Sequence, residues 1–292
     1  MHNRAPRGLL IALAANMALG LNSAFAKFAY RAGLDPNTLT MLRLGVAALV
    51  LWAIFLTRWR ALIPIPRRAL LGCIIMGAAN FVAQISYYWG LTRINASIAT
   101  LIFYLYPAVV ILLLRLRGEA MTTRRLARLG VALIGVALLV DISGGSVDGI
   151  GVLLVFVTIF TYSLHLVIGQ FVVRDVAART VVLYVISTMA LLATGVRLVM
   201  GGSPPPVTWA GWWPVLGIGL LGTVVARLAM FTAIKRVGST QLALLGVVEP
   251  LMTVAVARGF LGETLTPMQW IGGGFVLASL LLVDLPQATA VE

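Results

Sequence analysis

Ten long apolar runs constrain this chain more than any other feature. A membrane-spanning helix needs about 20 mainly apolar residues, and each run is close to that length. The runs are continuously apolar, whereas the strands of a membrane barrel alternate apolar and polar residues, so helices are favoured. We therefore predict an all-α integral membrane protein with ten transmembrane helices at 8–30, 36–58, 67–91, 95–117, 124–141, 149–173, 179–201, 209–234, 239–259 and 265–285.

Composition supports a lipid environment. Charged residues make up only 11% of the 292 residues, whereas about 25% is typical of a soluble domain. The net charge of +13 could suggest a nucleic-acid partner. However, the basic residues lie in short connections between the runs, so we expect the lipid bilayer and no nucleic acid. Cys73 is the only cysteine, which excludes an intramolecular disulfide and a thiolate metal cluster, and we expect no cofactor.

The distribution of Lys and Arg predicts the orientation of the chain, because cytoplasmic loops of membrane proteins are enriched in these residues. If the N-terminus is cytoplasmic, fifteen of the 22 Lys and Arg residues lie in the inner segments and five in the outer ones. We therefore predict a multi-pass membrane protein with cytoplasmic N- and C-termini.

A weak internal repeat divides the runs into two sets of five. Arg93–Pro107 aligns with Arg236–Pro250 without gaps, and Glu119 meets Glu263 after a slip of one residue. Five is an odd number, so the second half must cross the membrane inverted relative to the first. The sequence therefore predicts two inverted five-helix repeats, 1–146 and 147–292, around a central cavity, as in carriers that work by alternating access.

Several short motifs carry a resemblance to a known family. They are Leu34-Asp35-Pro36, Leu42-Arg43, Glu249-Pro250, Leu261-Gly262-Glu263-Thr264-Leu265-Thr266 and Gln269-Trp270-Ile271-Gly272. With ten spans, the set resembles the EamA-type exporters of the drug/metabolite transporter superfamily, and within it the aromatic amino-acid exporters of the YddG type. The resemblance implies a protein of the bacterial inner membrane. It also implies export of amino acids or related small metabolites through a cavity lined by spans 1, 3, 4, 6, 8 and 9.

Three charged residues lie inside predicted spans, where an unpaired charge is costly. Glu249 could contact a substrate amine or carry a proton, or it could pair with an arginine. Arg43 could be a structural hub, and Arg227 could attract a substrate carboxylate or extend to the cytoplasmic surface. Pro250 directly follows Glu249, and Pro107 holds the matching place in span 4, so both prolines are predicted kinks.

Polar side chains form stripes on three predicted helices. Asn80, Gln84 and Tyr87 share one helical face, as do Thr158, Tyr162 and His165. In span 1, Asn16, Gly20 and Ser23 have the same spacing. Such stripes often only join neighbouring helices, at about 0.6 kcal/mol per hydrogen bond. Three stripes on cavity helices favour a shared polar site. The predicted substrate-binding residues are Asn16, Asn22, Asn80, Gln84, Tyr88, Tyr104, Tyr162, His165, Arg227 and Glu249.

These observations favour a transporter over the other function classes. An intramembrane enzyme acting on lipid is the main alternative, but the sequence has no H-E-x-x-H motif and no acid-rich cluster to support catalysis. A carrier for nucleosides or sugars is a second alternative. We predict a carrier that exports amino acids, aromatic and other neutral ones among them, by alternating access and acts as a monomer.

Overall fold

The computed structural model is helical throughout the part of the chain that it describes. The described residues are 5–116, 123–140, 147–172, 176–201, 207–230, 232–233, 245–246 and 248–281. Glu119, the boundary at 146 and much of the ninth predicted span lie outside them. The ends of the fourth and tenth predicted spans also lie outside the described residues.

Seven helices are described in the part of the chain before residue 141. Helix α1 ends at Gly20, where α2 continues it after a one-residue break, and a short 3₁₀ turn at Arg60–Leu62 follows α3. The helices are α1 (Ala5–Gly20), α2 (Asn22–Arg31), α3 (Pro36–Arg58), α4 (Arg67–Leu91), α5 (Ala96–Phe103), α6 (Tyr106–Arg115) and α7 (Thr123–Val140).

Five further helices are described after residue 146, together with two segments of wider, π-helical turns. The π-helical segments are Gly217–Val225, which follows α10, and Ala257–Leu261, which follows α11. The helices are α8 (Gly149–Val172), α9 (Ala178–Val199), α10 (Trp209–Leu216), α11 (Val248–Val256) and α12 (Pro267–Leu281).

Among the described residues, six helical segments are long and apolar enough to cross a membrane. They coincide with predicted spans 1, 2, 3, 6, 7 and 8, and shorter apolar helices, Ala96–Val110 and Gly130–Leu139, lie in spans 4 and 5. An all-helical membrane protein is therefore confirmed, while the count of ten and the inversion of the halves stay predictions. The six segments are Gly8–Arg31, Pro36–Arg58, Arg67–Leu91, Gly149–Gly169, Ala178–Val199 and Trp209–Met230.

The outer surface of these helices is apolar. Leu49 and Leu191 are each 74% exposed, and Val199 is 89% exposed. A soluble protein rarely leaves so many large apolar side chains in water. On a membrane protein they face lipid, so their exposure carries no hydrophobic cost.

Helix α3 begins at the Leu34-Asp35-Pro36 motif for a local reason. Asp35 is the N-cap: its Oδ1 accepts the backbone N–H groups of Asn37 and Thr38 at 2.9 and 3.0 Å. Its Oδ2 accepts the Thr38 hydroxyl at 2.6 Å. Partial burial opposes ionisation of this carboxyl, but these hydrogen bonds outweigh it and lower the pKa of Asp35. Pro36 takes the first helical position, where its missing N–H costs nothing.

The helices of spans 4 and 8 are irregular. The helix of span 4 is interrupted at Tyr104 and Leu105, just before Pro107. In span 8, Pro214 precedes the π-helical segment Gly217–Val225, where Thr223 Oγ1 donates to the carbonyl of Ile218 five residues earlier at 2.9 Å. Wide turns of this kind are common at functional sites, because they free backbone groups and re-aim side chains.

Backbone contacts through glycine join the two halves. A Cβ on Gly20 would lie 2.6 Å from the Glu249 carbonyl oxygen, so α1 and α11 are in backbone contact there. Thr253 Oγ1 donates to the Gly20 carbonyl at 2.8 Å. In α7 and α12, a Cβ on either Gly135 or Gly272 would lie 2.7 Å from the other's carbonyl oxygen. Small residues allow this close packing in membranes.

Polar contacts close one end of the bundle, where α2 ends and α5 begins. Glu263 Oε1 accepts the Ala96 backbone N–H at 2.8 Å, and its Oε2 accepts the Ser97 N–H and hydroxyl at 3.1 and 3.0 Å. Glu263 thus satisfies free donors at the N-terminus of α5, where a negative charge is favoured. Arg31 donates to the Leu261 carbonyl at 3.0 Å. We call these contacts the Glu263 clasp.

Candidate functional site

A central cavity of about 170 Å³ lies where the irregular helices meet. Helix α4 contributes the longest stretch of the cavity wall. The π-helical segment Gly217–Val225 and the start of α11 also line the cavity. Predicted spans 1, 3, 4, 6, 8 and 9 all contribute, together with Arg43 from span 2. The polar and aromatic side chains that line it are Asn22, Ser23, Arg43, Asn80, Gln84, Tyr87, Tyr88, Thr100, Phe103, Tyr104, Tyr106, Thr158, Tyr162, Thr223, Arg227 and Glu249.

Eight of the ten predicted substrate-binding residues line this cavity, and two do not. Asn16 is buried, but its amide donates to the Ala12 carbonyl one turn earlier at 2.9 Å, and it does not line the cavity. His165 lines a second cavity instead, with its Nδ1 3.0 Å from the Met76 carbonyl oxygen. The eight are Asn22, Asn80, Gln84, Tyr88, Tyr104, Tyr162, Arg227 and Glu249.

Arg43 is a buried guanidinium at the cavity wall. It is only 2% exposed, donates through Nη2 to Gln84 Oε1, and lies over the Tyr88 ring at 4.7 Å from the centroid. A cation over an aromatic face is stabilised by the ring, more so where water is excluded. No ion pair of Arg43 occurs among the described residues. Arg43 is therefore a hub between α3 and α4 that also brings a positive charge to the cavity.

Glu249 and Arg227 bring opposite charges to the same cavity. They interact electrostatically, but they do not come within the 4.0 Å of an ion pair. Tyr104 joins Glu249 through a side-chain hydrogen bond, and its hydroxyl lies 3.2 Å from the Gly246 carbonyl oxygen. Among the described residues, Arg227 has no hydrogen-bond partner. The cavity thus holds a carboxylate and a guanidinium that are separated by a gap.

Two asparagines present polar atoms that the described residues do not satisfy. Both amide atoms of Asn80 and the Oδ1 of Asn22 are buried without a hydrogen-bond partner there. The Asn22 amide packs directly against Gly222, where any side chain would collide with it. Buried polar groups are almost always paired in native proteins. An unpaired amide on a cavity wall therefore indicates a group meant for a ligand or for water.

Aromatic rings form one side of the cavity. Phe103 lies 5.1 Å from Tyr106 and 5.2 Å from Tyr162, measured between ring centroids. The Tyr87 hydroxyl lies 2.9 Å from Ser23 Oγ and 2.8 Å from Thr100 Oγ1, which ties α4 to α2 and α5. Ring faces beside hydroxyls suit a ligand with both apolar and polar parts.

Some lining residues were not singled out in the sequence. Phe103, Thr100 and Gly222 line the cavity, but each resembles ordinary residues of an apolar helix. Of these three, only Phe103 could have been identified from the sequence as a cavity residue, because it directly precedes Tyr104 in the segment before Pro107. The role of Gly222, which is to leave room for the Asn22 amide, is visible only in the structure.

A second cavity of about 270 Å³ adjoins the first. Helices α4, α8 and α9 form it, and Arg227 lines both cavities. Its other polar side chain is His165, whose ring stacks on Tyr162 with 5.8 Å between centroids. The remaining lining residues are apolar.

The fold and the central cavity define a helical membrane protein built around an internal polar site. A family model described as the EamA-like transporter family matches residues 6–141 and, separately, 149–284. The chain therefore belongs to the EamA-like transporter family and is a multi-pass membrane transporter.

Similar proteins agree with this assignment. An uncharacterized transporter of Archaeoglobus fulgidus is 27% identical over 74% of this chain and 76% of its own length. The uncharacterized transporter YcbK of Bacillus subtilis is 24% identical over 93% of this chain and 91% of its own length. The uncharacterized inner membrane transporter YedA of Escherichia coli K12 is also 24% identical, over 88% and 85%.

A solved crystal structure shares the fold. It superposes with a TM-score of 0.65, covers 95% of this chain and 96% of its own, and is 19% identical in sequence. This likeness shows that the part of the chain covered by the match shares the fold of that structure.

Proposed function

We propose that this transporter exports neutral amino acids, including aromatic ones, and related small metabolites across the bacterial inner membrane. It does so by alternating access, with two inverted five-helix repeats and both termini in the cytoplasm. The substrate occupies the central cavity, in contact with the residues that line it, and the protein acts as a monomer.

One observation carries the proposal: Glu249 and Arg227 line the same cavity without pairing. An α-amino acid has an ammonium and a carboxylate on one carbon, so it can bridge such a gap between an acid and a guanidinium. Charged groups inside a membrane are costly and are typically kept for function. A nucleoside or a sugar would use the cavity amides but would leave both charges unpaired.

The aromatic wall supports bulky neutral side chains. Phe103 and Tyr162 present ring faces to the cavity beside the Asn80 amide. A small amphiphilic molecule needs both apolar and polar contacts, and this cavity offers ring faces together with amides, hydroxyls and charged groups.

Counterflow in liposomes tests the proposal. Purified protein is reconstituted and assayed with labelled amino acids, nucleosides and sugars, with and without a pH gradient. We expect amino acids to exchange and the other two classes not to. Exchange of nucleosides or sugars alone, by folded protein, would overturn the substrate class.

Variants test the site itself. Glu249→Gln and Gln84→Ala should both weaken amino-acid transport while leaving the amount of folded protein unchanged. Asp148→Asn is the matched control, because Asp148 is an exposed carboxylate that pairs with Arg93 at 3.1 Å and does not line the cavity. Transport that is unaltered in both cavity variants would contradict the assignment of the cavity.

A further inference from the structure

The second cavity differs in chemistry from the first. Its wall is mainly aliphatic, and five of its side chains come from successive turns of α9, four of them between 0% and 8% exposed. The aliphatic lining residues are Met76, Leu166, Ala178, Val181, Val182, Val185 and Ile186.

Arg227 stands at the boundary of the two cavities. Among the described residues it has neither a hydrogen-bond partner nor an ion pair, although it interacts electrostatically with Glu249 and His165. A guanidinium is well shaped to hold a carboxylate through two parallel hydrogen bonds. A carboxylate bound there would have a polar chamber on one side and an aliphatic chamber on the other.

We propose that the two cavities together form one bipartite site for an amino acid with an aliphatic side chain, such as leucine, valine or methionine. The substrate carboxylate binds Arg227, its ammonium faces Glu249 in the central cavity, and its side chain fills the aliphatic cavity. This inference rests on the proposed function and narrows its substrate class.

The lining of the second cavity explains the preference. A phenol or indole placed there would lose hydrogen bonds with water, and the carbonyl of Met76 is already engaged by His165 Nδ1 at 3.0 Å. A buried polar group without a partner is penalised, whereas an aliphatic side chain has no polar atoms to satisfy. The side chain of alanine is too short to enter this cavity. Alanine transport therefore depends only on the binding of the ammonium and carboxylate groups by Glu249 and Arg227.

The test compares leucine with alanine in the same proteoliposomes. Val185 lines the second cavity and is 3% exposed, so Val185→Phe should fill the cavity from within. We expect the ratio of leucine to alanine turnover to fall about tenfold or more, since single methylene groups discriminate substrates by about 10- to 200-fold. Val196→Phe is the control, because Val196 is on the same helix, is 37% exposed and does not line the cavity.

A second variant guards against misfolding. Val182→Thr keeps the shape of the side chain and adds a hydroxyl to the cavity wall. The protein should still fold, because a threonine hydroxyl in a helix can donate to the carbonyl four residues earlier. The ratio of leucine to alanine turnover should fall about threefold or more, because the substrate side chain then packs against a polar group. A ratio that is unchanged in this variant, or a wild type that prefers tryptophan to leucine, overturns the inference but leaves amino-acid transport standing. Failure of folded wild type to move any amino acid is a different result, and it overturns the proposed function as well.

Discussion

Replacement of Asn80 by leucine should weaken transport without weakening the protein. Asn80 is fully buried, lines the central cavity, and has no partner for either amide atom among the described residues. Leucine has nearly the same size and shape and no polar atoms. The change therefore removes an amide whose burial is unfavourable in the empty protein. The same amide can form hydrogen bonds with a bound substrate.

The magnitudes follow from the burial of the amide. Burying an amide without a hydrogen bond costs about 1–3 kcal/mol in proteins. The free energy of unfolding of Asn80→Leu should accordingly be equal to that of the wild type or higher by up to about 3 kcal/mol. A hydrogen bond to a charged substrate group contributes about 1.5–3 kcal/mol. At 1.4 kcal/mol per factor of ten, its loss weakens substrate affinity by about 10- to 100-fold.

Two measurements on the same preparations check this prediction: thermal unfolding of the purified protein, and the concentration dependence of counterflow. Asn16→Leu is the control, because the Asn16 amide donates to the Ala12 carbonyl at 2.9 Å and does not line the cavity. We expect its affinity for substrate to match the wild type. Lower stability of Asn80→Leu with unchanged affinity would refute the reasoning and make Asn80 a structural residue.

Three further predictions concern other contacts. Arg43→Lys should raise the KM about tenfold in transport assays, because a lysine cannot both donate to Gln84 and stack on Tyr88 as Arg43 does. Glu263→Gln should weaken the hydrogen bonds of the Glu263 clasp. In a Thr100→Cys variant, the new cysteine should then react faster with a thiol reagent when Glu263→Gln is also present than when Glu263 is unchanged. Asp35→Ala should cost about 0.5–2 kcal/mol of stability at neutral pH. Since the folded-state pKa of Asp35 is lowered, this contribution should be complete above its ordinary value of 3.8 and lost as the pH falls below it, as thermal unfolding at several pH values would show.

Helix positions could be predicted well where local signals mark the ends. Predicted spans 36–58 and 67–91 have the bounds of α3 and α4, because Asp35-Pro36 and Pro66 start these helices. Span 4 was predicted as one helix with a kink at Pro107. The structure divides it at Tyr104 and Leu105, a break that hydropathy cannot register, since the residues on both sides are equally apolar.

The candidate site shows the same limits. Helical spacing placed Asn80 and Gln84 on one face, and both line the cavity. The same spacing grouped Tyr162 with His165. However, the stripe that begins at Thr158 rises about 10 Å over seven residues, so its far end reaches the second cavity.

Asn16 was on a polar stripe too, but a local backbone bond satisfies its amide. Such local bonding competes with any role in ligand contact and depends on the rotamer, which a sequence does not reveal.

The glycine contacts indicate which helices would move as one rigid unit. Helix α1 meets α11 at Gly20, and α7 meets α12 at Gly135 and Gly272, with no side chain between the backbones. Each pair combines one helix from either half of the chain. Surfaces packed so closely can roll or slide, but parting them would leave voids that lipid chains cannot fill. If access to the cavity changes as proposed, we expect the movement to occur between these mixed pairs and not between the two halves of the sequence.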